Sequence, residues 1–472
     1  MVNTSKDRIV AYVSPRSIGG ESLFSPTAKL MSANIGAFYS EAVVKRKARA
    51  KLVEMGFTIE HVSELSIRIS APAAVFERKM GVKFEKQEST MYVPTAATCM
   101  NALQLGSELL EGAAFPQPIE LHGKKKAAPK KAVKKAAAKK KAPAATPPSA
   151  TPPALGYYHL QVPHDIVTIM NAGPVHAAGF RGKGVKVAMI DSGFNWSHPY
   201  FSGKGYKLKV ASPADVDPVG HGTGESANLL AIAPEIELHG LLMGDAVAAF
   251  QTARDVLKVK VVSNSWGSQL PTDGSFGTWD PYWSLVLAEI RQCVQNDMVV
   301  LFSAGNGHVS ATASCPDVIS VGGVYRDENN QLQASDYASS FKSYRFPGRQ
   351  VPDVCGLCGQ KPKAIYIALP IPPGCEIDKD LAGGTWPDGD ETKKNDGWSA
   401  FSGTSAACPM VAGVVALMLS KDPALKLPQI RQQLESSCRD VTAGHSSMGD
   451  PAGPGRDLAT GYGLVDAAVA CQ

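Results

Sequence analysis

The chain is 472 residues long, 44% hydrophobic and 19% charged, with a formal net charge of +5. That length exceeds one small domain, while the apolar share is ordinary for a globular protein. No apolar run reaches the ~18 residues of an evident membrane span, and the nine cysteines are odd in number and scattered, which speaks against a disulfide scaffold.

The first residues, Met1-Val2-Asn3-Thr4-Ser5-Lys6-Asp7-Arg8-Ile9-Val10, lack the basic-then-apolar stretch and small-residue cleavage site of a secretory leader. A cytoplasmic location is therefore expected, with non-classical export as the alternative. Arg8 to Val13 reads as a strand. Glu41 to Met55 reads as a helix with Gly56 closing it. Leu65 to Ser70 alternates as a half-buried strand does. Ala73 to Met80 is a short helix stopped by Gly81, and Val82 to Glu85 is another strand. Residues 1–90 thus predict a small α+β domain, an open sheet with helices on one face.

Residues 91–155 read as a linker. Its core, 124–153, is a Lys/Ala/Pro-rich low-complexity segment, and 124–141 alone holds ten lysines. Without that block the remainder of the chain is mildly acidic. Such a composition predicts a solvated, extended spacer open to proteolytic cleavage. Weak, non-specific nucleic-acid contact through its lysines is the alternative.

Residues 156–472 alternate strands and helices. Val185 to Ile190 is a compact apolar strand delivering Asp191-Ser192-Gly193 at its carboxyl end, where the functional crevice of an open parallel sheet lies. Gly220-His221-Gly222-Thr223-Gly224 then opens a helical run. Val259 to Val262 reads as a strand leading to Ser265-Trp266-Gly267, and Gln269 to Tyr282 reads as an insertion rimming a cleft. Val299 to Ser303 is a buried strand ending in Ala304-Gly305-Asn306-Gly307. Cys355-Gly356-Leu357-Cys358 has no second close pair, so buried thiols are expected there and no metal site. Ile371 to Trp398 is rich in acids. It reads as a solvated loop, with structural calcium as the alternative, although no EF-hand spacing is present.

The most informative run is Phe401-Ser402-Gly403-Thr404-Ser405-Ala406-Ala407-Cys408-Pro409-Met410. It places a hydroxyl, Ser405, among small residues at the start of an apolar helix, where unpaired amides favour a developing oxyanion. A serine hydroxyl is a poor nucleophile at neutral pH and needs a base and a group that orients the base. His221 and Asp191 are the upstream candidates, and the Asn306 amide is a candidate oxyanion donor.

The order Asp191, His221, Asn306, Ser405, within D-S-G, H-G-T, A-G-N-G and S-G-T-S-x-A-x-P, resembles the subtilisin-like serine peptidases (subtilases) over about residues 156–472. The resemblance implies a mostly parallel sheet with helices on both faces and a serine endopeptidase with an Asp191–His221–Ser405 triad. It also implies an oxyanion hole at Asn306 and a substrate-pairing segment at Ser265, Trp266 and Gly267. The expected substrate is a polypeptide, with no cofactor required for the chemistry and no membrane partner. In position and pattern residues 1–90 resemble the propeptides of subtilases and of the related sedolisins, and 48–84, with G-F-T, S-x-R-I-S and E-R-K-M-G-V-K-F, is most similar to the sedolisin type. They imply an autoprocessed zymogen whose own amino-terminal domain is the inhibitor. The alternative is a catalytically silent binding protein on the same scaffold. One departure is Gly224-Glu225 after H-G-T, where many subtilases carry a second histidine. Glu225 invites comparison with the Glu–Asp–Ser set of sedolisins, but is expected to be a solvated or first-turn acid.

Overall fold

A computed structural model of the chain describes residues 8–25, 30, 32–87, 91–94, 99–101, 108–117, 119–121, 148–210, 215–270 and 280–472. These form two compact units. The Lys-rich block 124–141 and residues 271–279 of the predicted cleft-rimming insertion lie outside the described residues.

One unit comprises Met1–Pro118 with Gly244–Val256 and Phe276–Asn296. Its centre is a five-stranded antiparallel sheet in the order Thr58–Val62, Ile67–Pro72, Arg8–Pro15, Leu110–Ala114, Cys99–Asn101. Helices Ala42–Glu54 and Ala73–Met80 fall where the periodicity predicts them, and Gly81 ends the second in the left-handed conformation that spares a Cβ clash. Phe57, Phe76, Phe84 and Phe115 meet edge-on or tilted, with ring centroids 4.9–5.8 Å apart, in the core beneath. Leu110–Ala114 pairs directly with Arg8–Pro15, so the folded unit runs past residue 90 into the stretch read as linker. Its sequence, Leu-Glu-Gly-Ala-Ala, is too small and too weakly patterned to announce a strand. Ladder bonds to a neighbour nearly a hundred residues away make it one.

The other unit comprises Ile119–Met243, Leu257–Ser275 and Asp297–Gln472. Its eight-stranded sheet has parallel strands in the order Lys207–Val210, Glu237–Leu242, Lys186–Asp191, Val261–Asn264, Val299–Ser303, Ile319–Arg326 and Val354–Leu357. Leu332–Ala334 joins antiparallel beside Ile319–Arg326. The central strands are apolar on both faces, as sheets covered by helices require. Lys186–Asp191 comes first in the chain, and later strands are added on one side of it and then on the other. Asp191 therefore ends a strand at the topological switch point, where a crevice opens.

Helices His221–Ile232 and Thr404–Lys421 pack on one another and on this sheet. Thr404–Lys421 is long and apolar enough to cross a membrane by length and composition, but 89% of it is buried within the fold. Pro409 lies inside it and cannot donate to the Ser405 carbonyl four residues back.

Candidate active site

Asp191, His221 and their setting come from the switch point. The Asp191 Oδ1 atom lies 2.7 Å from His221 Nδ1, and the Ser192 amide also donates to it at 2.7 Å. A Cβ on Gly222 would come within 2.9 Å of Asp191 Cβ, so only glycine lets the helix start press this close to the strand end. A carboxylate that the sequence reading passed over completes the corner. Asp217 accepts from the Gly220 and Thr223 amides at 2.9 Å each, from Thr223 Oγ1 at 2.7 Å and from Ser192 Oγ at 2.9 Å. It caps the helix carrying His221 and ties it to the Asp191 turn. The available signal was an acid shortly before a Gly-His-Gly-Thr helix start.

Burial opposes a charge on His221, but Asp191, with Glu225 and Asp217 behind it, more than offsets this and raises the imidazole to about 9. Glu225 is neither the solvated nor the first-turn acid expected. It is fully buried one turn beyond His221, with Oε1 at 4.0 Å from Nε2, and burial raises its carboxyl to about 8. The physical reason is that His221–Ile232 is buried on all sides and has no wet face to offer.

Ser405 lies in the first turn of Thr404–Lys421, where backbone amides lack intrahelical partners. Its hydroxyl donates to the Ser265 carbonyl at 3.4 Å, and its own carbonyl accepts from Ser265 Oγ at 2.9 Å. Asn306 follows the strand Val299–Ser303, and its Oδ1 accepts from the Thr404 amide and hydroxyl at 3.0 Å each. That fixes the carboxamide with its NH2 end beside Gly403, where an added Cβ would stand 2.5 Å from Nδ2.

His221, Glu225, Asn306, Gly403 and Ser405 line one cavity of about 130 Å³, together with Leu121. Trp266–Gly267 runs antiparallel to Glu120–Leu121, with Trp266 opposite Leu121 and Gly267 opposite Glu120. This segment therefore offers its backbone edge to an extended chain. The Trp266 side chain instead points inward, its indole N–H reaching the Ile190 carbonyl at 2.8 Å.

The acidic stretch 371–398 is less solvated than expected. Asp378 is buried and accepts from the Gly374 and Asn395 amides at 2.8 and 3.0 Å. Asp390 is buried and holds Thr392, Ser399 and the Ala400 amide. These carboxylates fold the loop upon itself. Among the described residues no group of three or more His, Cys, Asp or Glu could hold a metal ion. Cys355 and Cys358 are buried free thiols.

The family model described as the subtilase family matches residues 182–463. Subtilisin E of Bacillus subtilis (strain 168) is 27% identical over 335 residues, covering 67% of this chain and 72% of the relative. Subtilisin of Bacillus pumilus is 28% identical over 296 residues, covering 58% of this chain and 91% of its own length. In fold, the chain is similar to the crystal structure of fervidolysin from Fervidobacterium pennivorans, a keratinolytic enzyme related to subtilisin. That match has a TM-score of 0.56 at 18% identity, covers all of this chain and spans 62% of fervidolysin.

Proposed function

Because the chain belongs to the subtilase family of serine endopeptidases, we propose that Ser405, His221 and Asp191 carry the hydrolysis of its polypeptide substrates. The observation that carries this reading is the 2.7 Å contact between Asp191 and His221, at the rim of a cavity that also contains Ser405. Ser405 Oγ attacks the scissile carbonyl carbon and passes its proton to His221 Nε2. Asp191 holds the Nδ1 proton, fixing the tautomer and stabilising the imidazolium. The oxyanion forms against the Ser405 amide and the Asn306 side-chain NH2. Collapse expels the amine with the proton from His221, leaving an acyl-enzyme that water opens by the same groups. Reactive pairs of this type tighten when substrate seats, so the present bond from Ser405 to the Ser265 carbonyl is compatible with the role.

The substrate backbone would pair with Trp266–Gly267, the edge now taken by Glu120–Leu121 of the same chain. This occupation supports a zymogen in which the amino-terminal segment up to Leu121 is an activation domain, removed by cleavage on the carboxyl side of Leu121. A fluorophosphonate probe tests the centre of the proposal. Covalent labelling of the wild type that disappears in Ser405→Ala supports it, and equal labelling of both proteins removes it.

A further inference from the structure

Glu225 is a buried carboxyl that the triad does not use. Its Oε2 accepts from Asn228 Nδ2 at 2.8 Å, while Oε1 has no hydrogen-bond partner and lies 4.0 Å from His221 Nε2. The imidazole is therefore set between two carboxyls, Asp191 at Nδ1 and Glu225 on the Nε2 side. His221 and Glu225 line the cavity that Ser405 also lines.

We propose that Glu225 is a second acidic partner of His221, a positioning residue whose charge on the Nε2 side sets the pH at which His221 can take the Ser405 proton. This rests on the reading of Asp191, His221 and Ser405 as the reacting set.

The surroundings leave His221 as the group Glu225 answers to. Asp191 from the strand end and Asp217 from the preceding loop are acids, and they favour a proton on the pair. The thiols of Cys358 and Cys408 face Glu225 from other elements, but burial pushes each up to about 12, so they stay neutral. Lys363 and Asp380 line the same cavity and lie 3.8 Å from each other. The pair holds its proton in either of two forms, imidazolium beside carboxylate or imidazole beside carboxylic acid. The ionised Glu225, 4.0 Å from Nε2, favours the imidazolium, and in that form Nε2 has no lone pair with which to accept from Ser405. Loss of that one proton to solvent leaves Glu225 ionised and Nε2 open. When Ser405 attacks, its proton moves to Nε2, and the imidazolium so formed lies between two carboxylates. The same contact thus restrains the base at low pH and stabilises the transition state once the pair has lost its proton.

The test is kcat/KM against pH for the full chain and for Glu225→Gln, which keeps the shape and the Asn228 contact. The rate of fluorophosphonate labelling across the same pH range is a second readout. The expected result is an acid limb lying about one pH unit lower in the variant, since a charge at this distance shifts a partner by one to three units. A lower plateau at high pH is also expected. Glu225→Val, which loses the hydrogen bond as well, should show the same displaced limb. Acid limbs that coincide with the wild type, whatever the loss in rate, would make Glu225 a packing residue and overturn the proposal. Absence of labelling in the wild type at every pH would instead sink the triad reading, and this proposal with it.

Discussion

Ser265 Oγ donates to the main-chain carbonyl of Ser405 at 2.9 Å, the carbonyl that Pro409 leaves without an intrahelical donor. A proline four residues after a residue of the first turn removes the N–H that would close the helical bond. The serine of Ser265-Trp266-Gly267 fills the gap from a neighbouring strand end. The Ser405 backbone is thereby fixed to the segment whose edge pairs with Glu120–Leu121. Ser265→Ala should cost about 1–3 kcal/mol, the penalty of a buried carbonyl left unsatisfied, read by denaturant unfolding in a Ser405→Ala background. In a Pro409→Ala background the helix regains its own donor, so the same change should cost much less. Equal costs in both backgrounds would dissociate Ser265 from Pro409.

Gly403 and Asn306 form a second coupled pair. Because an added Cβ would stand 2.5 Å from Asn306 Nδ2, Gly403→Ala should displace the amide proposed as the oxyanion donor. Turnover should fall by about 100- to 1000-fold with KM little changed, a range known from removal of such a donor in subtilisin. Asn306→Ala should match it, and the double variant should be no worse than either. A double variant with multiplied losses would mean that the two act separately.

How much of this was legible in sequence depends on how local the cause is. Asp191, His221, Asn306 and Ser405 each sit in a short run whose glycines and small residues are dictated by contacts within a few ångströms, so the run itself marks the position that the structure brings to the cavity or its rim. Leu110–Ala114 was hidden because its strand state is decided by Arg8–Pro15, far away in the chain. Glu225 was misread because a helix start that is polar in sequence suggests a wet face. The later residues, Ala227, Leu229, Leu230, Ala231 and Ile232, already cover the whole circumference and leave none. Asp217 acts through the Gly220 and Thr223 amides at a helix start, a role that no periodicity displays.

Proton linkage gives a stability prediction. His221 is raised to about 9 from its ordinary value of 6.5, and Glu225 to about 8 from 4.5. Both groups bind protons more tightly when folded, so their contribution is fully present at low pH. It is lost as pH rises, from about 4.5 to 8 for Glu225 and from about 6.5 to 9 for His221. Ser405→Ala protein, which cannot digest itself under the proposed mechanism, should therefore lose stability steadily between pH 5 and 9 in urea titrations. Adding Glu225→Gln should flatten the lower part of that slope. A stability that climbs with pH across this window would contradict the protonated state assigned to the pair.

Leu121 ties the cleft to the chain's own amino-terminal side. It is buried in the cavity beside His221 and Ser405, on a strand paired to Trp266–Gly267. Burying a leucine contributes about 1.5–3 kcal/mol, and an aspartate there would also face Glu225 and Asp380. Leu121→Asp should therefore weaken the hold of this strand on the cleft by tenfold or more. Intact mass over time reads the consequence. The wild type should split on the carboxyl side of Leu121, Ser405→Ala should stay whole, and Leu121→Asp should split more slowly, because the bond is presented less often to the nucleophile. Added as a separate polypeptide, residues 1–121 should inhibit the processed enzyme, and the Leu121→Asp version should need a correspondingly higher concentration. Cleavage of Leu121→Asp at the wild-type rate, with equal inhibition, would mean that Glu120–Leu121 does not occupy the productive substrate path.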